Sequence, residues 1–142
     1  MANKLTAKVS VELNAAPSRV WKALTEPALI KEYLFGTDTK TDWKKGSPIT
    51  YSGAWDGKTY EDKGIIKEII PEKLLHTTYY SPLSGKEDKP ENYANVNYEI
   101  HEKDGHTLLT VSQDNIDDEK SVEHMKNNWQ TVLNGLKAVV EK

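Results

Sequence analysis

Cysteine is absent from the 142 residues, which removes disulfides, thiolate nucleophiles and thiolate metal ligands together. Phenylalanine occurs once, against four tryptophans and seven tyrosines, so nearly every aromatic ring carries a polar N–H or O–H as well as an apolar face. The opening Met1-Ala2-Asn3-Lys4-Leu5-Thr6-Ala7-Lys8 has no apolar run of the signal-peptide kind, and no stretch approaches the roughly 20 apolar residues that cross a bilayer. A cytoplasmic protein without a membrane role is expected. The formal charge is −3 and no Lys/Arg cluster stands clear of acidic neighbours, which argues against a nucleic-acid partner. His76, His101, His106 and His124 show no metal-ligand spacing, and Asp114, Asp117, Asp118 and Glu119 lack the interleaved oxygen ligands of a calcium loop. There is no nucleophile elbow and no phosphate-cradling glycine loop. No metal and no cofactor are therefore expected.

The residues present read as one domain over 1–142, of α+β class. Leu5, Ala7, Val9, Val11 and Leu13 alternate with polar residues, the period of a half-buried strand. Pro17 and Pro27 each suit the first turn of a helix. The first of these helices has Val20, Trp21 and Leu24 facing inward, and the second has Leu29, Ile30, Tyr33 and Leu34, with Gly36 as its stop. Strands then follow at Thr37 to Trp43, Ile49 to Trp55, Thr59 to Ile70, Leu74 to Tyr80, Tyr93 to Glu102 and Thr107 to Asp114. Asp56-Gly57 and Asp104-Gly105 have the chemistry of tight hairpin turns, and 81–92 is a long polar loop. All neighbours can be joined by hairpins, so the sheet is expected to be antiparallel. Val122, Met125, Trp129, Val132, Leu133, Leu136 and Val140 recur at three- and four-residue steps, one stripe of a long helix. Asp117, Asp118 and Glu119 sit at its positive end. About seven long strands that twist and one amphipathic helix that must bury its stripe predict a strongly curved sheet wrapped around the terminal helix.

Three segments in this order carry a resemblance. Ala16-Pro17-Ser18-Arg19-Val20-Trp21-Lys22-Ala23-Leu24-Thr25-Glu26-Pro27 resembles the opening helix of the START-like (SRPBCC, birch-pollen-allergen-like) superfamily, in its branch homologous to activators of heat-shock-protein ATPase. Gly64-Ile65-Ile66-Lys67-Glu68-Ile69-Ile70-Pro71 with Leu74 is similar to that branch's strand pair. Trp129-Gln130-Thr131-Val132-Leu133-Asn134-Gly135-Leu136-Lys137 with Glu141 is similar to its terminal helix. Tyr33 stands where the branch often has tryptophan, which keeps aromatic bulk and adds a hydroxyl that seeks a partner. The resemblance implies a helix-grip fold, β-α-α-β6-α, enclosing a cavity for an apolar small molecule, and a place in stress physiology.

Pockets of that kind are lined mostly by apolar and aromatic side chains with a few placed polar groups. The candidates are Trp21 and Tyr33 on the short helices, Tyr51 and Trp55 on the third strand, and Ile66 on the fourth. His76 and Tyr80 on the fifth, Tyr98 on the sixth and Gln113 on the seventh join Met125, Trp129 and Leu133 on the long helix. The same side chains can instead simply fill a core. Strand five has two registers, since Leu74 and Leu75 are both apolar. One turns His76 and Tyr80 inward as an acid–base pair, and the other turns Leu75, Thr77 and Tyr79 inward. Three functions follow: a non-catalytic binding domain for a hydrophobic small molecule, a chaperone-interacting module, or a small-molecule cyclase or hydrolase. A monomer or weak homodimer is expected.

Overall fold

A computed structural model describes residues 5–34, 36–55, 57–81 and 87–141, with Trp55 and Lys58 described by their backbone alone. The elements are β1 (Leu5–Leu13), α1 (Pro17–Thr25), α2 (Pro27–Tyr33), β2 (Asp38–Lys40), β3 (Pro48–Trp55), β4 (Lys58–Ile70), β5 (Leu74–Tyr79), β6 (Ala94–Lys103), β7 (His106–Ile116) and α3 (Glu119–Val140), with a 3-10 turn at Pro90–Asn92. The strands form one seven-stranded sheet in the order β1-β7-β6-β5-β4-β3-β2, antiparallel at every step. The predicted α+β helix-grip architecture is what forms.

Local chemistry accounts for most boundaries. Pro17 and Pro27 occupy the first turns of α1 and α2, where the missing N–H costs nothing. Asp104 and Gly105 have φ of 49° and 84°, the pair of positive values that a type I′ hairpin turn requires. Asp56 of the other expected hairpin turn, and 82–86 of the polar loop, lie outside the described residues. The expected second strand, Thr37 to Trp43, is shorter in the structure. Only Asp38–Lys40 pairs with β3, and Trp43, with φ of 59°, has a left-handed backbone that cannot prolong an extended strand.

The helix α3 begins at Asp118, whose carboxylate accepts a hydrogen bond from the Ser121 amide at 2.7 Å, satisfying an otherwise orphan helix N–H. Its far end is tied to the start of the chain: Glu141 accepts from the Asn14 amide at 2.9 Å, and Lys137 Nζ donates to the Glu12 carbonyl at 3.1 Å. Backbone contacts of α3 concentrate on β1, α2, α1 and β7. One buried cluster lies there, including Leu13, Val20, Leu109, Val111, Leu133 and Leu136. A second, Ile49, Ile66 and Leu75, lies on β3, β4 and β5. Trp21, Trp43 and Tyr98 pack against both, so the interior has two lobes joined by large aromatic rings.

Candidate functional site

Cross-strand pairing fixes which side chains face α3. Ile66 pairs with Thr77, Thr77 with Val96, Val96 with Gln113 and Gln113 with Ala7. Paired residues share a face, and Ile66, Thr77, Val96 and Ala7 are all buried, so this row is concave. A parallel row runs Ile69, Leu75, Tyr98, Val111 and Val9. Strand five therefore turns Leu75, Thr77 and Tyr79 inward, the second of its two registers.

His76 and Tyr80 consequently do not join the other candidates. His76 sits on the convex face, where its Nε2 is 3.0 Å from Asn95 Oδ1 and Asn95 Nδ2 donates in turn to Asp114 Oδ2 at 3.0 Å. Tyr80 bridges to Lys63 and stacks on Tyr93 with ring centroids 5.2 Å apart. No acid–base pair is assembled under the helix by these two residues. Of the rest, Ile66, Leu133 and Tyr33 are core: they are 0%, 1% and 7% exposed. The Tyr33 hydroxyl finds its partner in the Ala23 carbonyl at 2.6 Å, one of the carbonyls left over at the end of α1. Trp55 lies on β3 with its side chain outside the described atoms.

Tyr51, Tyr98, Gln113, Trp129, Trp21 and Met125 form a different set. Each lies on the inner side of the sheet or on a helix, yet each is only half-buried. Leu109 and Val111, by contrast, are 0% exposed, while Trp21, Tyr51, Tyr98 and Trp129 pack as partly buried rings against the core clusters. Trp129 of α3 meets Tyr98 edge-to-face at 5.8 Å and donates from Nε1 to Gln113 Oε1 at 2.9 Å. Toward β3 the aromatic row continues through Tyr51 and Tyr79, whose centroids are 6.2 Å apart. Among the described residues the Tyr51 and Tyr98 hydroxyls have no hydrogen-bond partner.

Beside these rings lies a carboxylate. Asp62 is the β4 partner of Tyr51, and its Oδ2 accepts from the Tyr79 hydroxyl at 2.5 Å. Its Oδ1 is buried without a partner, as is Thr39 Oγ1 in the same cross-strand row. Tyr60 lies next along β4, its hydroxyl 2.5 Å from Thr37 Oγ1. The ring covers Gly53, where an added Cβ would stand 2.7 Å from the Tyr60 hydroxyl. Burial, the largest cause, pushes the Tyr51, Tyr79 and Tyr98 phenols well above their ordinary range, and Asp62 pushes Tyr51 and Tyr79 further. These phenols stay protonated at physiological pH, and that of Tyr79 donates to Asp62.

Asp62, Tyr79, Tyr60 and Trp43 were not among the sequence candidates. Asp62 had a usable signal: once Ile66 is placed inward, the period of two along Tyr60, Asp62, Gly64 and Ile66 directs a carboxylate inward as well. Two depressions lie elsewhere on the surface. One of about 140 Å³ is lined by Glu12, Lys103, Asp104, His106, Thr107 and Leu108. The other, about 450 Å³, is lined by Pro17, Pro71, Glu72, Lys73, Ile100 and Glu102. Neither is lined by Trp21, Tyr51, Tyr98, Gln113, Met125 or Trp129.

A curved antiparallel sheet gripping a C-terminal helix defines the START-like (SRPBCC) class. Residues 14–141 match the family described as Activator of Hsp90 ATPase homolog 1-like protein, and the chain belongs to that family. Solved structures share its fold. The solution structure of ChR145 from Cytophaga hutchinsonii is 43% identical, covers 99% of this chain and 97% of that one, and superposes with a TM-score of 0.87. Protein MLL2253 from Mesorhizobium loti is 22% identical over 96% of this chain and 97% of its own, with a TM-score of 0.77. The Aha1 dimer from Colwellia psychrerythraea is 17% identical over 96% of each chain, with a TM-score of 0.75. No protein of curated function matches the sequence.

Proposed function

We propose that this protein is a non-catalytic binding domain that holds a hydrophobic small molecule in the cleft between α3 and the concave face of the sheet. The observation that carries this reading is the half-burial of inward-facing Tyr51, Tyr98, Gln113, Trp129 and Met125. They offer apolar area together with a few hydrogen-bonding groups, which is the composition of a small-molecule site. Trp129 is the natural reporter, since its indole N–H is fixed on Gln113. Native mass spectrometry of protein purified from its own cell is expected to show a co-purified apolar mass. Nile red, a neutral apolar dye, is expected to bind saturably and to shift the Trp129 indole resonance. A protein without a co-purified mass that also fails to bind the dye at Trp129 would exclude this function.

Contact with a chaperone is the second reading, supported by family membership and by Ile65 and Ile70. Both isoleucines are 42% exposed on the convex side of β4, away from the cleft. An affinity pull-down with the protein as bait is expected to recover a chaperone, and Ile65→Asp with Ile70→Asp to abolish the capture. Recovery of none with the unmodified protein removes the reading.

A further inference from the structure

The carboxylate of Asp62 is incompletely satisfied in a way that specifies what completes it. Oδ2 has a strong donor in the Tyr79 hydroxyl at 2.5 Å, while Oδ1 is buried with no partner, an arrangement that is unfavourable unless something supplies a donor. No described lysine or arginine pairs with Asp62. Its sequence neighbour Lys63 points to the opposite face and is bonded to Asp88. Around the carboxylate stand Tyr51, its cross-strand partner, and Tyr79, whose hydroxyl it accepts from, with Tyr60 two residues before it on β4. Aromatic faces beside an unpaired carboxylate favour a cation on two counts, by ion pairing and by the negative potential of the rings. A neutral hydroxyl satisfies only the hydrogen bond, and an anion satisfies neither.

Resting on the reading of the cleft as a small-molecule site, we propose that its ligand is a protonated organic amine: the ammonium donates to Asp62 Oδ1, and the apolar body lies against Tyr51, Tyr98 and Trp129. Oδ1 is covered, so a side chain beside it moves to admit the amine; we assign that movement to Tyr51, the cross-strand partner of Asp62, whose hydroxyl holds no hydrogen bond among the described residues. Asp62 is in this view a binding residue that selects the charge of the ligand, while the rings select its apolar body.

The test compares 2-(1-naphthyl)ethylamine with the matched neutral alcohol, 2-(1-naphthyl)ethanol, on the full chain at pH 7 and low salt, reading the Trp129 indole and backbone amides by NMR titration. The amine is expected to bind about tenfold more tightly than the alcohol, the factor that a charge-assisted bond adds over a neutral one. Both are expected to shift Trp129 and Tyr98. In Asp62→Asn the ratio is expected to fall to about one, through weaker binding of the amine. Should Asp62→Asn not fold, the wild-type ratio and its loss on raising the pH above the amine's own pKa decide the question. Equal binding of the two probes, or a preference that persists in Asp62→Asn, overturns the amine assignment and leaves the apolar cleft intact. If neither probe binds while Nile red does, the assignment falls and the cleft stands; if Nile red also fails, both fall.

Discussion

Tyr33 and Gly64 show how much single side chains decide in this fold. Tyr33 acts as a cap: its hydroxyl bonds the Ala23 carbonyl, so α2 closes the end of α1. Tyr33→Phe leaves that carbonyl buried and unpaired, and is expected to cost about 1–3 kcal/mol, measurable by urea unfolding. At Gly64 a Cβ would lie 1.8 Å from the Thr78 carbonyl oxygen, within the backbone of the neighbouring strand. Gly64→Ala must separate β4 from β5 beside the Lys67 bulge that follows Ile66, and is expected to destabilise by at least about 1–3 kcal/mol; a melting temperature equal to wild type would refute this. Trp43 holds a left-handed backbone while its ring packs against both core clusters. Such a conformation persists only where surrounding contacts enforce it.

The long helix divides along its length. Leu133 and Leu136 are 1% exposed and belong to the core, whereas Met125 and Trp129, one to two turns earlier, are only half-buried. Leu133→Ala is expected to cost about 2–5 kcal/mol, but Met125→Ala less than about 1 kcal/mol, with the larger effect of Met125→Ala on dye affinity. The start of the same helix depends on charge. The Ser121 amide bonded to Asp118 holds its carboxyl below the usual range, so the folded state favours the ionised form. That stability is present above the unfolded-state value and is lost as pH falls through the lowered folded-state value. Asp118→Ala is accordingly expected to melt earlier than wild type at pH 7, with the gap narrowing as acid protonates the cap. A gap that is constant from pH 7 to pH 2 would contradict the assignment. β5 illustrates the limit of periodicity. Leu74 and Leu75 are interchangeable as hydrophobic residues, and the inward choice of Leu75, Thr77 and Tyr79 is made by pairing with β4 and β6.

For the molecule as a whole, a cleft that binds a ligand only in the folded state links occupancy to stability. Nile red at 100 times its Kd is expected to add about 2.7 kcal/mol, and a melting temperature unmoved by saturating dye would break that link. Much of the architecture was legible beforehand: alternation along Leu5–Leu13, proline at the start of α1 and α2, the Asp104-Gly105 turn and the stripe from Val122 to Val140 are local patterns that backbone sterics and burial convert directly into elements. The three segments at 16–27, 64–74 and 129–141 carried the family as well. Half-burial of Tyr98 and Tyr51, the convex position of His76 and the orphan oxygen of Asp62 were not legible in that way. Each depends on which side chains meet across strands far apart in sequence. A period of two states that neighbours face opposite ways; only the packed sheet states which way is in.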